Sequence, residues 1–501
     1  MAFVPTNGPL TDREQWKNSY WNDLGNDIIL FLRSLDMGTE FEAPITLTKD
    51  RQHLDGGSNY AHSFKRWMGA GSDVSLRDAT AFGALGNGSD DDTAAIQAAI
   101  DDLPVTGGVV LIPPTDFYYK ISTGPLKITG SSRTLADVTL MGFGDSSVIQ
   151  LEAASDLIEV QDQNRIRLVN LRFEGAGQTG NGITIQDSDN SKLINVTVNN
   201  FDGTGVIVDD SDNLLIDGCR ISSMSNGSSG WGIETQLTSG NLPEGLIVTN
   251  SSILSNTLEG ITGAGNGSFR KSCIFNNNIS GNGEAAIKLA DGAGALSAQI
   301  SIYRNIISDT VCTGEGAIIL TSGSGLTQIT IAGNLIEGTT NGSGIYILEA
   351  APGFPTEAVT ISGNVIKNNA NSGIILRDSV RYFAIFGNVC QNNGTQDAGD
   401  DYGMEIPPTT GGTFDNVSYH AICGNACFDD AGANTNSQFK QNGGILLGDG
   451  GSGSGSDHCT AVGNSVAIPE GEIFDSGTIR ALQNEGTNNE TAHNVGEQMP
   501  Q

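Results

Sequence analysis

Ile331-Ala-Gly-Asn334-Leu-Ile336 is followed by Ile361-Ser-Gly-Asn364-Val-Ile366, then by Ile385-Phe-Gly-Asn388-Val-Cys390, Ile422-Cys-Gly-Asn425-Ala-Cys427 and Ala461-Val-Gly-Asn464-Ser-Val466. Two looser copies precede them, Ile302-Tyr-Arg-Asn305-Ile-Ile307 and Ile274-Phe-Asn-Asn277-Asn-Ile279. The successive Asn residues stand 28, 29, 30, 24, 37 and 39 positions apart. One Asn set among aliphatic residues therefore returns with an irregular period through the second half of the chain.

A second element keeps the same period: a small residue, then apolar, any, apolar. It stands at Gly182-Ile-Thr-Ile185, Gly205-Val-Ile-Val208, Ala286-Ile-Lys-Leu289, Ala317-Ile-Ile-Leu320, Gly344-Ile-Tyr-Ile347, Gly373-Ile-Ile-Leu376 and Gly403-Met-Glu-Ile406. Alternation over so few residues, bounded by Gly, Asn, Asp and Ser, is the pattern of a short strand with one face buried. A repeat of this length cannot close a core alone, so successive copies must stack and share one. The fold class is all-β, a right-handed parallel β-helix. Stacked at a bend in every coil, the Asn amide can bond turn backbone and the Asn of neighbouring coils, which makes the column structural. Cys390 and Cys427 fall where Ile336 and Ile366 fall, so they read as small core hydrophobes, with a rung-to-rung disulfide as the alternative.

The 501 residues carry 57 Asp and Glu against 25 Lys and Arg, a formal net charge of −32. Such a field repels nucleic acid and anionic lipid, so neither is an expected partner. No apolar run approaches the ~20 residues of a membrane span, and the amino terminus lacks a basic-then-apolar leader. The expectation is synthesis in a cytoplasm without signal peptide or membrane insertion. The seven Cys show no zinc-type CxxC pairing, and no motif asks for a metal ion or cofactor.

Thr11-Asp-Arg-Glu14 is a capping box, and Trp16, Tyr20, Leu24, Ile28, Phe31 and Leu32 follow at helical spacing. This predicts an amphipathic helix over residues 12–34, which either folds back on its own chain or docks elsewhere. Residues 36–75, with His53, His62 and Trp67, read as an irregular connector. Then come Asp78-Ala-Thr-Ala-Phe, the run Asp90-Asp-Asp-Thr-Ala-Ala-Ile-Gln-Ala-Ala-Ile100, and Gly107-Gly-Val-Val-Leu-Ile-Pro113. This segment resembles the opening of the pectate-lyase-type β-helix superfamily that includes bacteriophage tailspike and tail fibre proteins. There a strand, an Asp-capped helix and a GGxVxxP strand close the first end of the coil. Asp90, Asp91 and Asp92 stand where the Ala-rich helix favours carboxylates, and are read as structural.

The resemblance divides the chain into residues 1–75, a helix and connector for virion attachment; 76–155, the cap and first coils; 156–480, the body; and 481–501, a polar tail. It implies a homotrimer on the virion, in a tail or surface appendage. Partners would be bacterial surface polysaccharide and, through the N-terminal segment, other virion proteins. The polygalacturonase-like runs Asn-Thr-Asp, Gly-His-Gly and Arg-Ile-Lys are missing, as is the Asp-Pro-His-Glu of alginate-epimerase-like modules.

The period also aligns outward columns, in which equivalent side chains on stacked strands lie ~4.8 Å apart. Three positions before the apolar pair, Ile287 leads to Glu284 and Ile318 to Glu315. Like charges at that spacing raise one pKa unless a proton or ligand is shared, and retaining glycosidases space their two carboxyls at ~5–5.5 Å. One position nearer the strand stand Trp231 and Glu259, and on the strands Glu234 and Lys288. Aromatic faces stack on sugars, and carboxyl groups bond hydroxyls or protonate a glycosidic oxygen. Glu284, Glu315 and Glu259 are therefore the candidate catalytic residues, with Trp231, Glu234, Lys288 and the outward Tyr346 binding substrate. Arg377, Arg381 and Tyr382 beside Glu405 make a second candidate groove, next to the long insert 391–416. Asp187, Asp210, Asp291, Glu349, Asp378 and Asp449 each follow a strand end and read as turn caps.

The combined reading is a tailspike-like receptor-binding protein that grips bacterial surface polysaccharide. Cleavage as a glycoside hydrolase, that is, a depolymerase, is the chemistry the paired carboxyls offer. Two alternatives stay open: a non-catalytic virion rod or adhesin, and a polysaccharide lyase using Arg377 and Tyr382.

Overall fold

The structure, a computed structural model, describes residues 75–129, 137–238, 243–263, 269–291, 297–313, 315–322, 325–349, 356–377, 380–395, 402–406, 421–428, 443–447, 460–462, 464–467, 480–484, 490–492 and 495–496. The chain divides into two compact units, Met1–Gly56 and Gly57–Gln501, and every described residue belongs to the second. The helix expected over 12–34, His53, His62 and Trp67 lie outside the described residues, as do Asp378 and Asp449.

Strands recur in threes and stack, parallel to their neighbours, into three sheets of 16, 14 and 13 strands. Sheet A runs from Leu76–Asp78 to Glu490–Ala492, sheet B from Tyr119–Ile121 to Val495–Gly496, and sheet C from Leu126–Thr129 to Arg480–Asn484. Each coil passes A, B and C in turn, so the chain is a parallel β-helix. Registers are in step: Ile183 pairs with Ile158 on one side and Val206 on the other, and Ile185 with Val160 and Val208. All six point inward and are buried. This follows from the period-two pattern, because a one-residue slip would turn the aliphatic set out to water.

The bend between sheets A and B carries the Asn column. Asn277, Asn305, Asn334, Asn364, Asn388, Asn425 and Asn464 are joined amide to amide at 2.9–3.0 Å. Each amide oxygen also accepts the backbone N–H of the preceding member, as Asn364 does from Asn334 at 2.9 Å. The column runs on into Ser251, whose N–H donates to Asn277 and whose hydroxyl accepts the N–H of Cys219 at 3.0 Å. A second ladder follows five positions later, between B and C: Asn256 bonds Asn282, and Asn369 bonds Asn393, each at 2.9 Å. Thr310 and Thr339 hold the same place between them.

The first end is closed as the opening motif predicts. Helix α1, Thr93–Asp101, buries Ile96, Ala99 and Ile100 against it. Gln97 donates to the Lys127 carbonyl at 2.9 Å and accepts its N–H at 2.8 Å, standing in for a missing strand at the edge of sheet C. Asp91 accepts from the Thr93 N–H at the helix start, whereas the buried Asp92 turns away to Leu85, Gly86 and Lys120 backbone. Both serve the fold. At the other end the sheets continue into the stretch expected as a polar tail, through Arg480–Asn484, Glu490–Ala492 and Val495–Gly496. Ladder bonds are made by backbone, so polar residues can extend a sheet that is already formed. Cys390 and Cys427 pair in register, buried, as free thiols.

Candidate functional site

Glu234, Thr262, Lys288, Ile319, Tyr346, Ile375 and Glu405 are successive members of one outward column on sheet C. The loops from B to C enter each strand beside this column, and they carry Trp231, Glu259, Glu284 and Glu315. Ile233 pairs with Ile261 and Ile287 with Ile318, so the alignment read from sequence is the alignment in space.

Four coils contribute to one connected cluster. The Trp231 indole N–H donates to Glu259 at 2.7 Å, and Lys288 Nζ reaches the other Glu259 oxygen at 3.1 Å. Lys288 also faces Glu315 at 3.9 Å. Glu284 lies within hydrogen-bonding reach of Glu259, and its pKa is raised by burial and then by the Glu259 charge, against the pull of Lys288. The tighter carboxyl pair is thus Glu259 with Glu284. Lys288 stands between Glu259 and Glu315 and offsets part of the repulsion that sequence alignment implied for Glu284 and Glu315. Burial works against its charge, but Glu259 chiefly, with Glu315 and Glu284, raises the Lys288 pKa and keeps it cationic.

Beside this cluster opens a pocket of about 380 Å³, lined by Asn181, Thr204, Asn226, Ser229, Gln236 and Ile207, with Trp231 and Glu234 shared between the two. Glu234 is 4% exposed and accepts from the Thr204 hydroxyl at 3.2 Å; burial raises its pKa. Sequence alignment had singled out Trp231 and Glu234 but not the amide and hydroxyl wall. Asn181 and Thr204 stand two positions before Ile183 and Val206, the place that Trp231 and Glu259 hold before Ile233 and Ile261, so the same column could have found them; Ser229 lies deeper in its loop.

The second group is partly assembled. Arg377 lies over the Tyr346 ring, 5.7 Å from its centroid, and 3.8 Å from Glu405, which also accepts from Ser372 at 2.9 Å. Tyr346 itself packs with Ile319 and Ile375. Val380–Arg381 pairs with Thr356–Glu357 of sheet A, and Tyr382 comes next in the chain. Among the turn acids, Asp187 and Asp210 hold left-handed φ of 48° and 47°, and Asp210 accepts the Thr238 N–H at 3.1 Å. Among the described residues, no group of three His, Cys, Asp or Glu is placed to hold a metal ion, and no helix is long and apolar enough to cross a membrane.

Comparison with known proteins agrees with this architecture. Residues 127–307 match the family model described as a right-handed beta helix region. Among solved structures, the A-module of the Azotobacter vinelandii mannuronan C-5 epimerase AlgE6 superposes with TM-score 0.57 at 18% identity, over 85% of this chain and 100% of that one. Tailspike protein 3 of bacteriophage CBA120 superposes with TM-score 0.52 at 14% identity, over 85% of this chain and 62% of that one. A curated relative, the Azotobacter vinelandii mannuronan C5-epimerase AlgE3, is 41% identical over 73 residues, which is 14% of this chain and 4% of its own length. These likenesses establish the fold, a right-handed parallel β-helix.

Proposed function

We propose that the chain binds a bacterial surface polysaccharide along sheet C and hydrolyses it, as a tailspike-like receptor-binding protein on a virion. The observation that carries this reading is the run of contacts Trp231–Glu259–Lys288–Glu315, with the high-pKa Glu284 beside it and the polar pocket at its end. Trp231 offers a stacking surface whose orientation is held by its own N–H bond. Glu284 retains a proton above the usual carboxylate range, so it can pass that proton to a glycosidic oxygen as the C–O bond breaks. Glu315 is the carboxylate left to attack the anomeric carbon or to take a proton from the attacking water. Glu259, engaged at both oxygens, positions Trp231 and Lys288 and raises the Glu284 pKa.

Among the described residues, Glu234, Glu259, Glu284 and Glu315 gather about one cation, Lys288. A polyuronate would bring a carboxylate on every sugar into that field, so the glycan favoured is neutral or carries amino sugars. The lyase reading has less support, because Arg377 already faces Glu405. Mannuronan is the polymer named for the epimerases that share the fold, and likeness of fold alone does not carry it here.

Incubation with purified bacterial surface polysaccharides, read by mass spectrometry, tests the proposal. Hydrolysis adds one water per bond cut, whereas a lyase leaves an unsaturated sugar. Glu284→Gln is expected to slow release of fragments by ~10²–10⁴-fold, while Trp231→Ala chiefly weakens binding. Fragment release by Glu284→Gln and Glu315→Gln at the wild-type rate would overturn the assignment.

A further inference from the structure

From Lys127 to Lys288 the outward column of sheet C is polar, with one exception. It reads Lys127, Glu159, Thr184, Ile207, Glu234, Thr262 and Lys288. Ile207 is 7% exposed, yet it packs neither into the interior core nor into the small outward cluster around Tyr346. It borders instead the pocket of about 380 Å³ beside the carboxyl cluster. That volume is at the small end of ligand cavities and gives room for one sugar residue rather than a run of them.

Three chemically different surfaces meet at this pocket. Ile207 and the Trp231 ring are apolar, and the ring is oriented by its N–H bond to Glu259. Asn226 supplies a donor: its amide oxygen accepts the Ser228 N–H at 2.7 Å, which leaves its amide N–H2 without a partner among the described residues. Asp202 supplies an acceptor: one carboxylate oxygen takes the Ser225 hydroxyl at 3.1 Å, and the other has no partner among the described residues. Glu234 is already engaged by the Thr204 hydroxyl and the Gln236 side chain. Among the described lining residues there is no Lys, Arg or His.

We infer that this pocket is a subsite for the acetamido group of an N-acetylated amino sugar. An acetamido group carries a methyl, a carbonyl oxygen and an N–H in one planar unit. Each has its complement here: Ile207 with Trp231, the Asn226 amide and the Asp202 carboxylate. Other sugar classes leave something unmatched. A free ammonium has donors only, so the Asn226 N–H2 would face another donor. A uronate would set its carboxylate against Asp202 and Glu234 with no cation in the lining. A plain hydroxyl is too small to cover Ile207, so water would stay against an apolar side chain. The subsite rests on the reading of sheet C as a glycan groove and narrows its ligand to this class.

Saturation-transfer NMR of the full chain tests it, with the methyl glycosides of N-acetylglucosamine, N-acetylgalactosamine and N-acetylmannosamine as probes. At least one is expected to bind, with the strongest saturation on its acetyl methyl. Neither the parent hexose nor the free-amine sugar is expected to displace it. Asn226→Asp keeps the oxygen that holds the Ser228 N–H but replaces the N–H2 donor by a second acceptor; it is expected to weaken binding ~10-fold with unchanged thermal unfolding. Ile207→Thr keeps the β-branched shape that suits a strand and is expected to weaken binding as well; should it unfold, Asn226→Asp decides. No binding of any of the three probes, equal binding of the hexose or the amine sugar, or wild-type affinity in either folded variant would each overturn the assignment. Binding is read without cleavage, so the two readings fail separately. Acetamido binding with no fragment release would remove the hydrolysis, and fragment release with no acetamido binding would remove the subsite.

Discussion

Asn364→Leu puts the ladder to a quantitative test. The substitution keeps the branching at Cγ, but methyl groups need more room than the 2.9–3.0 Å contacts of the amide leave, so overpacking adds to the cost, and the change removes four side-chain hydrogen bonds. Asn364 accepts from the Asn334 N–H at 2.9 Å and the Asn334 amide at 3.0 Å, and donates to the Ile331 carbonyl and the Asn388 amide oxygen, both at 2.9 Å. Asn388 keeps the Asn364 backbone donor at 3.0 Å. Two buried groups are orphaned, the Asn334 backbone N–H and one Asn334 amide hydrogen, while the Ile331 carbonyl stays in the ladder of sheet A. At ~1–3 kcal/mol for each unsatisfied buried group, the upper reach is ~6 kcal/mol, and local relaxation with non-additivity brings the expected cost to ~3 kcal/mol. Asn364→Ser is the internal comparison. Ser251 shows that a hydroxyl at this bend accepts the N–H of the preceding coil while donating to a carbonyl, at 3.0 and 2.7 Å. Serine should thus rescue the Asn334 N–H and cost ~1–2 kcal/mol. Guanidinium unfolding supplies the free energies, and amide exchange at Asn334 locates the damage. A Leu variant that costs less than ~1 kcal/mol, or no more than Ser, would refute the reasoning.

Two further outcomes follow from the same geometry. Because the Glu284 pKa in the folded chain is raised, chiefly by burial and then by Glu259, the stability it contributes is complete below the ordinary carboxylate pKa of ~4.3 and is lost as pH rises through the raised value. Thermal unfolding of Glu284→Gln, compared with wild type from acid to neutral pH, should show the variant gaining relative stability as pH increases; parallel pH profiles would remove Glu284 as the shared-proton carboxyl. Burial pushes the Cys219 and Cys312 thiols up to about 12, so both should resist alkylation at mildly basic pH until the chain is unfolded; rapid native labelling would show that these coils open.

Most of the fold was legible in the sequence because each β-helical coil repeats one local instruction. The Asn before each sheet B strand marks one bend, and Gly-Ile-x-Ile marks sheet C. The second ladder was legible too, since Asn256, Asn282, Asn369 and Asn393 each lie five positions after a ladder residue, although its alternation with Thr310 and Thr339 hides the repeat. The site was legible in part. Trp231, Glu234, Glu259, Glu284, Glu315 and Lys288 aligned because their distance to the next strand is short and constant. Tyr382 was grouped with Arg377 from proximity in sequence; Arg377 stands on sheet C and Val380–Arg381 on sheet A.

What the sequence determined by itself is the coil: side-chain period two, a polar bend residue and a shared core dictate stacking and register whatever the loops do. Which carboxyls touch, that Lys288 stands between Glu259 and Glu315, and that Asn181, Thr204 and Gln236 wall a pocket were decided only by tertiary structure. Those contacts set loop residues between B and C against Lys288 and Gln236, which sheet C fixes, so they depend on the paths of the loops. Loop paths are set by neighbouring coils rather than by any period in the chain, and differences of an ångström or two there decide which oxygen accepts which proton.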